Sequence, residues 1–214
     1  MSLELLRNSL SVLLQGLVTT LLLSVASIAL GTLLGLVAAV LRSFGPWGTS
    51  RVAQGYVELF RGTPVLITLM FIYFGVSYFG YAINVFAAGV IGLGVYQGAY
   101  IAEIFRSGIE AVPPGQWEVS QILGLSRTQA FAFVVLPQTG KIVLPPLIGQ
   151  YLSLIKDTSI VSMIGMSELM HGGQAIVDRI GKPVAIYGLV AVIYFAVCFP
   201  LSQWVRHHDR RRLS

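Results

Sequence analysis

The sequence predicts an all-α integral membrane protein with about five membrane-spanning helices. Three observations carry this. Hydrophobic residues make up 55% of the 214 positions and charged residues only 11%, whereas a soluble domain carries about 25% charged residues. Residues 8–41 and 62–102 contain no charged side chain. The basic residues, which leave a net charge of +5, flank apolar runs, as membrane topology requires and nucleic-acid binding does not.

The first span falls within 8–41, longer than the roughly 20 residues a crossing needs. Glu4 and Arg7 precede it, and its length exceeds that of a cleavable leader. Gly31 and Gly35 share one face, a spacing that admits a neighbouring helix closely. FGPWG (44–48) ends the run. Residues 62–102 are too long for one crossing. They predict spans at about 56–79 and 85–107, with a turn near FGYAIN (79–84) built on Gly80 and Asn84. A fourth span runs from near Thr128 to Ile155. It carries Lys141 and is interrupted by Pro137 and the pair Pro145–Pro146, which lipid tolerates only where freed backbone faces protein or water. KDTSIVSMIG (156–165), a polar loop with a short helix, and a last span at about 183–205 follow. The basic tail, 206–214, suits a lipid surface. Its His207 and His208 have no third ligand for a metal. Cys198 has no disulfide partner and reads as a small buried hydrophobe. The chain 1–214 is a single transmembrane domain.

An odd number of spans puts the two termini on opposite sides. Arg42, Arg51, Arg61, Arg106, Arg127, Lys141, Arg206 and Arg210 to Arg212 gather on one side, against Arg7, Lys156, Arg179 and Lys182 on the other. The richer side is expected to be cytoplasmic. The N-terminus is then outside, and the C-terminus and residues 113–129 are inside.

Residues 113–129 form a polar hairpin in an otherwise apolar chain. Pro113-Pro114-Gly115 stops the preceding helix. Residues 117–123 make two turns, with Val119, Ile122 and Leu123 on one face and Glu118 and Gln121 on the other. Gly124 sits where a glycine ends a helix, and Ser126 with Gln129 forms a capping box for the next. A DNA-reading helix-turn-helix is excluded, because the second helix continues as AFAFVVLPQ with no basic face.

The same stretch resembles the cytoplasmic EAA loop of ABC importer permeases. Glu118, Gly124, Val134 and Leu136-Pro137 fall in its register, with Val119-Ser120 replacing two alanines. ELFRGTPVLITLMFIYFG (58–75), GAYIAEIFRSGIEAVPPGQWE (98–118) and KDTSIVSMIG (156–165) resemble the permeases of polar amino acid uptake systems, and the likeness covers nearly the whole chain. It implies a type I importer permease fold in a bacterial inner membrane. The hairpin would be a coupling helix seated in a groove of a cytoplasmic ATPase, present in two copies. There Glu118 and Gln121 would offer polar contacts and Arg127 a charge. Val119, Ile122 and Leu123 would pack, and Gly124 would allow close approach. The implied partners also include a second permease, identical or homologous, and an extracytoplasmic amino-acid-binding protein; the outer loop with His171, Asp178 and Arg179 either touches that protein or is simply solvated. The chain has no phosphate-binding G-x-x-x-x-G-K-[ST] loop. ATP is expected on the partner, and no cofactor or metal on this chain.

Ionisable groups at membrane depth are costly and mark function. Glu103 and Asp157 would meet an amino acid's ammonium, and Lys156 or Arg61 its carboxylate. Thr63, Thr158 and Ser159 add hydroxyls, and Gly62-Thr63-Pro64 can open backbone groups. Tyr96, Gln97 and Tyr100 either line the path or pack. The alternative for the charges is structural pairing, Glu58 with Arg61, Glu103 with Arg106 or Arg61, and Lys156 with Asp157. Two rival functions are weaker. An intramembrane serine hydrolase at GMSEL would need Ser167 and His171 on separate elements, and they lie one turn apart. A channel or secondary carrier would have no use for the hairpin.

Overall fold

The structure, a computed structural model, describes residues 3–213, with side chains from Ser9 to Gln203. His207, His208 and the tail arginines therefore lie outside the described side chains. The first uncharged run forms one helix, α1 (Leu3–Phe44). At 1.5 Å per residue it is about 63 Å long, roughly twice the bilayer's hydrocarbon thickness. Its main partner is α4 (Val85–Glu110), the most enclosed helix of the bundle. The glycine pair on α1 explains how closely the two approach. A Cβ at Gly35 would lie 2.6 Å from the Ile101 Cβ, and one at Gly31 2.9 Å from the Gln97 Cβ.

The span expected over 56–79 is not one helix. It is α2 (Trp47–Gly62) followed by α3 (Val65–Tyr78), bent by 109° at the join. Pro64 causes the break. It disfavours a helical conformation at the residue before it, and Thr63 is extended (φ −111, ψ 137). α2 lies against α1 and α4, and the Tyr56 hydroxyl donates to the Val95 carbonyl at 2.6 Å. The turn into α4 follows the sequence reading. Gly80 has φ +83, and the Asn84 side chain caps α4 by accepting from the Ala87 amide at 2.6 Å.

After α4 come α5 (Pro114–Ile122) and α6 (Arg127–Ala130), a π-helical stretch Phe131–Val135, α7 (Leu136–Asp157) and a 3₁₀ segment Thr158–Ile164. The interruption expected at Pro145–Pro146 is absent, since α7 runs through both prolines. The irregularity sits at the other proline expected to interrupt the span, just ahead of Pro137. There the missing N–H and the ring's clash with the carbonyl four residues back are relieved by the wider π turn. The 3₁₀ segment ends at Gly165 (φ +87) and buries Val161 and Ile164 in a core with Leu23, Leu69, Ala88 and Leu93. At the end of the bundle away from α5, the amphipathic α8 (Leu169–Ile180) packs Leu169 and Ile176 on Leu13 of α1 and Val190 of α9 (Pro183–Leu213). The helices long and apolar enough to cross a membrane number four among the described residues, or five if the bent α2–α3 pair counts as one span.

Candidate functional site

Three polar features stand out in this apolar frame. The first is an ion cluster on the α5 side of the bundle. Glu103 of α4 accepts from Arg42 Nη1 at 2.8 Å and from Arg106 Nη2 at 2.6 Å, with Arg106 Nε 3.1 Å from both carboxylate oxygens. Arg61 Nη1 reaches the same carboxylate at 3.5 Å, and Arg106 also pairs with Glu110. One carboxylate thus ties the last turn of α1, the last turn of α2 and α4 together. Arg42, counted in the sequence only as a topology charge, is its second close partner. Glu58 is not paired with Arg61; it accepts from Gln54 Nε2 at 2.7 Å.

The second feature runs up the same face of α4. The Arg61 guanidinium lies 5.6 Å from the Tyr100 ring centroid. The Tyr100 hydroxyl accepts from the Tyr96 hydroxyl at 3.1 Å, and Asp157 lies within electrostatic reach of Tyr96. Tyr96 precedes Glu103 by two turns, about 10 Å along the axis. The sequence candidates are therefore spread along a column, with Asp157 at one end and Arg61 and Glu103 at the other. Gln97 turns away from it. Its amide exchanges two 3.0 Å hydrogen bonds with Gln150, which lock α4 to α7.

The remaining candidates separate. Lys156 and Ser159 line a cavity of about 670 Å³ between α7 and α9, walled by Tyr194, Phe195 and Cys198. Thr63 sits half-buried at the α2–α3 break, its hydroxyl donating to the Leu59 carbonyl at 2.8 Å. Thr158 is fully buried, and its hydroxyl donates to the Ile155 carbonyl at 2.7 Å. It supports the 3₁₀ turn from within the protein interior.

The third feature escaped the sequence reading. Glu168 is 0% exposed. It caps α8 by accepting from the Met170 and His171 amides at 2.9 and 2.7 Å, and it also accepts from the Tyr194 hydroxyl at 3.0 Å and the Thr20 hydroxyl at 3.3 Å. A single buried carboxylate so joins α1, α8 and α9. The clue in the sequence was an acid placed just ahead of an apolar helix, the signature of an N-cap.

The hairpin completes the description. α5 ends in a Schellman turn. The Leu125 amide donates to the Ser120 carbonyl at 3.0 Å and the Gly124 amide to the Gln121 carbonyl at 2.9 Å, with Gly124 at φ +77. The capping box of Ser126 and Gln129 is formed in both directions. Trp117 and Ser120 face the bundle, Trp117 stacking 6.5 Å from Phe131, whose ring in turn meets Phe44 of α1 at 4.5 Å. Val119, Ile122 and Leu123 point outward, 55%, 84% and 74% exposed, and Glu118, Gln121 and Arg127 are exposed beside them.

Charge carried along one face of an enclosed membrane helix, beside an uncovered helical hairpin at one end, defines a membrane permease subunit. Residues 31–214 match the family described as the binding-protein-dependent transport system inner membrane component, and the chain belongs to that family. It is 38% identical over 201 residues to the glutamine transport system permease protein of Escherichia coli, covering 93% of this chain and 92% of that one. It is 36% identical over 209 residues to the arginine ABC transporter permease protein of Haemophilus influenzae, covering 94% of each. The fold superposes on a chain from the crystal structure of an amino acid ABC transporter with histidines, with TM-score 0.92, 34% identity and 99% of both chains covered. A chain of the inward-facing MetNI methionine ABC transporter shares the fold at TM-score 0.79 and 21% identity.

Proposed function

We propose that this chain is the membrane subunit of an ATP-driven importer of amino acids. It works as a pair, with itself or a homologue, over two copies of a cytoplasmic ATPase, and receives substrate from an extracytoplasmic binding protein. The α5 end of the bundle is cytoplasmic and the α8 end faces outward, with the N-terminus outside.

The observation that carries the reading is the hairpin. Exposed apolar residues on so short a helix are a docking surface once the segment lies clear of the membrane. Here Val119, Ile122 and Leu123 project from a helix fixed at both ends by caps and at its base by Trp117. Glu118, Gln121 and Arg127 rim that surface. The glutamine and arginine named for the relatives support the substrate class. ATP-driven closure of the ATPases draws the two hairpins together and opens the path outward, and hydrolysis returns it inward. Asp157, at the outer end of the α4 column, meets the substrate's ammonium. Lys156 and Ser159 offer polar groups from the neighbouring cavity, and Thr63 marks the break where α2 and α3 part.

Uptake of radiolabelled glutamine, arginine and histidine into proteoliposomes holding the whole importer tests this. The double variant Glu118→Lys, Gly124→Val should assemble yet lose ATP-dependent uptake. Wild-type uptake rates in that variant would refute the coupling role. Failure of the unaltered importer to carry any amino acid would refute the substrate class.

A further inference from the structure

The three guanidiniums around Glu103 are not equivalent. Arg42 and Arg106 hold the carboxylate at 2.8 and 2.6 Å, and Arg106 adds Glu110. Arg61 stands off at 3.5 Å. Its side chain is also the most exposed of the three, at 41% against 15% for Arg42 and 31% for Arg106. Three cations against Glu103 and Glu110 leave one positive charge in surplus, and the geometry assigns that surplus to Arg61. Glu58, one turn back on the same helix, is engaged by Gln54 and does not neutralise it.

Arg61 also faces an opening. With Tyr100, Glu103 and Ser107 it lines a cavity of about 550 Å³ between α2, α4 and α7, on the hairpin side of the bundle. The guanidinium rests on the Tyr100 ring, and its one ion pair among the described residues is the long contact to Glu103. A planar fork with an unspent charge, open to a cavity of small-molecule size, is a receptor for a carboxylate.

We propose that Arg61, on its Tyr100 platform, is a carboxylate station for an amino acid at the cytoplasmic mouth of the path, separate from the Asp157 end. The proposal rests on the transport reading above and adds a second stop to it. Glu103 is then the resting counter-ion of Arg61 rather than a ligand. An arriving α-carboxylate takes the place of the long Glu103 contact, while Arg42 and Arg106 keep Glu103 where it is. The same station can be filled from the cytoplasm by product that has already been released.

Equilibrium binding to the intact, nucleotide-free importer in detergent tests this, using radiolabelled L-glutamine, L-arginine and L-histidine in competition with their α-carboxamides. The unaltered complex should prefer each carboxylate over its amide by about tenfold or more, the range of one charge-assisted contact. Arg61→Gln should reduce that preference to about twofold, whereas Asp157→Asn should weaken both forms alike and keep the preference. Full preference in an assembled Arg61→Gln complex would overturn the station and leave the transport reading intact. Absence of any amino acid binding in the unaltered complex would overturn both. Should Arg61→Gln not assemble, Arg61→Lys decides, because a point charge lacks the fork. Its preference should fall about threefold or more, and an unchanged ratio refutes the proposal.

Discussion

Replacing Glu103 by Gln keeps the shape of the side chain and removes the one charge that three arginines share. Breaking a fully buried ion pair by removing one partner costs about 3–5 kcal/mol. Here the groups are partly open, from 15% for Arg42 to 41% for Arg61, and solvent screens part of that penalty. The two close contacts at 2.8 and 2.6 Å dominate, so the expected loss is about 2–3 kcal/mol. For a chain of this length that lowers the melting temperature by about 5–10 °C. The assay is thermal unfolding of the purified complex in detergent. A second substitution sharpens it. Arg42 is the most enclosed of the three guanidiniums, so adding Arg42→Met to Glu103→Gln removes the worst unpaired charge and should recover a substantial part of the loss. A melting temperature within about 1 °C of the unaltered protein in Glu103→Gln would refute the reasoning, because the cluster would then contribute nothing to holding α1, α2 and α4 together. Failure of Arg42→Met to restore stability would show that the loss came from something other than an orphaned charge.

Two further outcomes follow from packing. Gly35→Leu puts a Cβ 2.6 Å from the Ile101 Cβ, about 1 Å inside ordinary carbon contact. Overpacking of this kind costs about 1–3 kcal/mol, and Ile101→Ala should restore part of it in the same unfolding assay. Glu168→Ala leaves the Thr20 and Tyr194 hydroxyls and the α8 amides without their shared acceptor. It should cost about 2–4 kcal/mol, with Glu168→Gln clearly milder because the amide keeps one acceptor oxygen; equal loss in both would contradict the capping role.

The sequence revealed local features well and three-dimensional pairings poorly. Pro113–Pro114, Gly124 and the Ser126–Gln129 box act within a few residues of one another, so the hairpin's turn and caps were legible, although α5 begins at Pro114, ahead of the expected 117. The Gly31–Gly35 face was legible for the same reason, though α4 as its partner was not. The prolines were harder. Pro64 breaks the second span with a 109° bend, while α7 runs through Pro145 and Pro146 and its irregularity sits in the π stretch before Pro137. Which proline bends a helix depends on how neighbours support the freed carbonyls, and no spacing rule carries that. Glu103 was recognised as a charge in need of partners, but Arg42 comes from another helix, far away in the chain. Glu168 was not singled out, because only the folding of α1 and α9 over it takes it out of water.

The helical run from Arg127 to Ile164 has a mechanical consequence. It is unbroken over 38 residues, a rod of about 57 Å at 1.5 Å per residue. The capped hairpin is fastened to one end of the rod, and Lys156, Asp157 and the 3₁₀ turn lie toward the other. Helices are stiff along their axes, so a push delivered at Ser126 is passed along the rod toward Asp157. The compliant section is the π turn at Phe131–Val135, where the hydrogen-bond ladder is already widened. Tilt can be taken up at that joint, next to the Trp117 and Phe44 rings that brace Phe131; displacement along the rod has nowhere to dissipate before it reaches the polar segment.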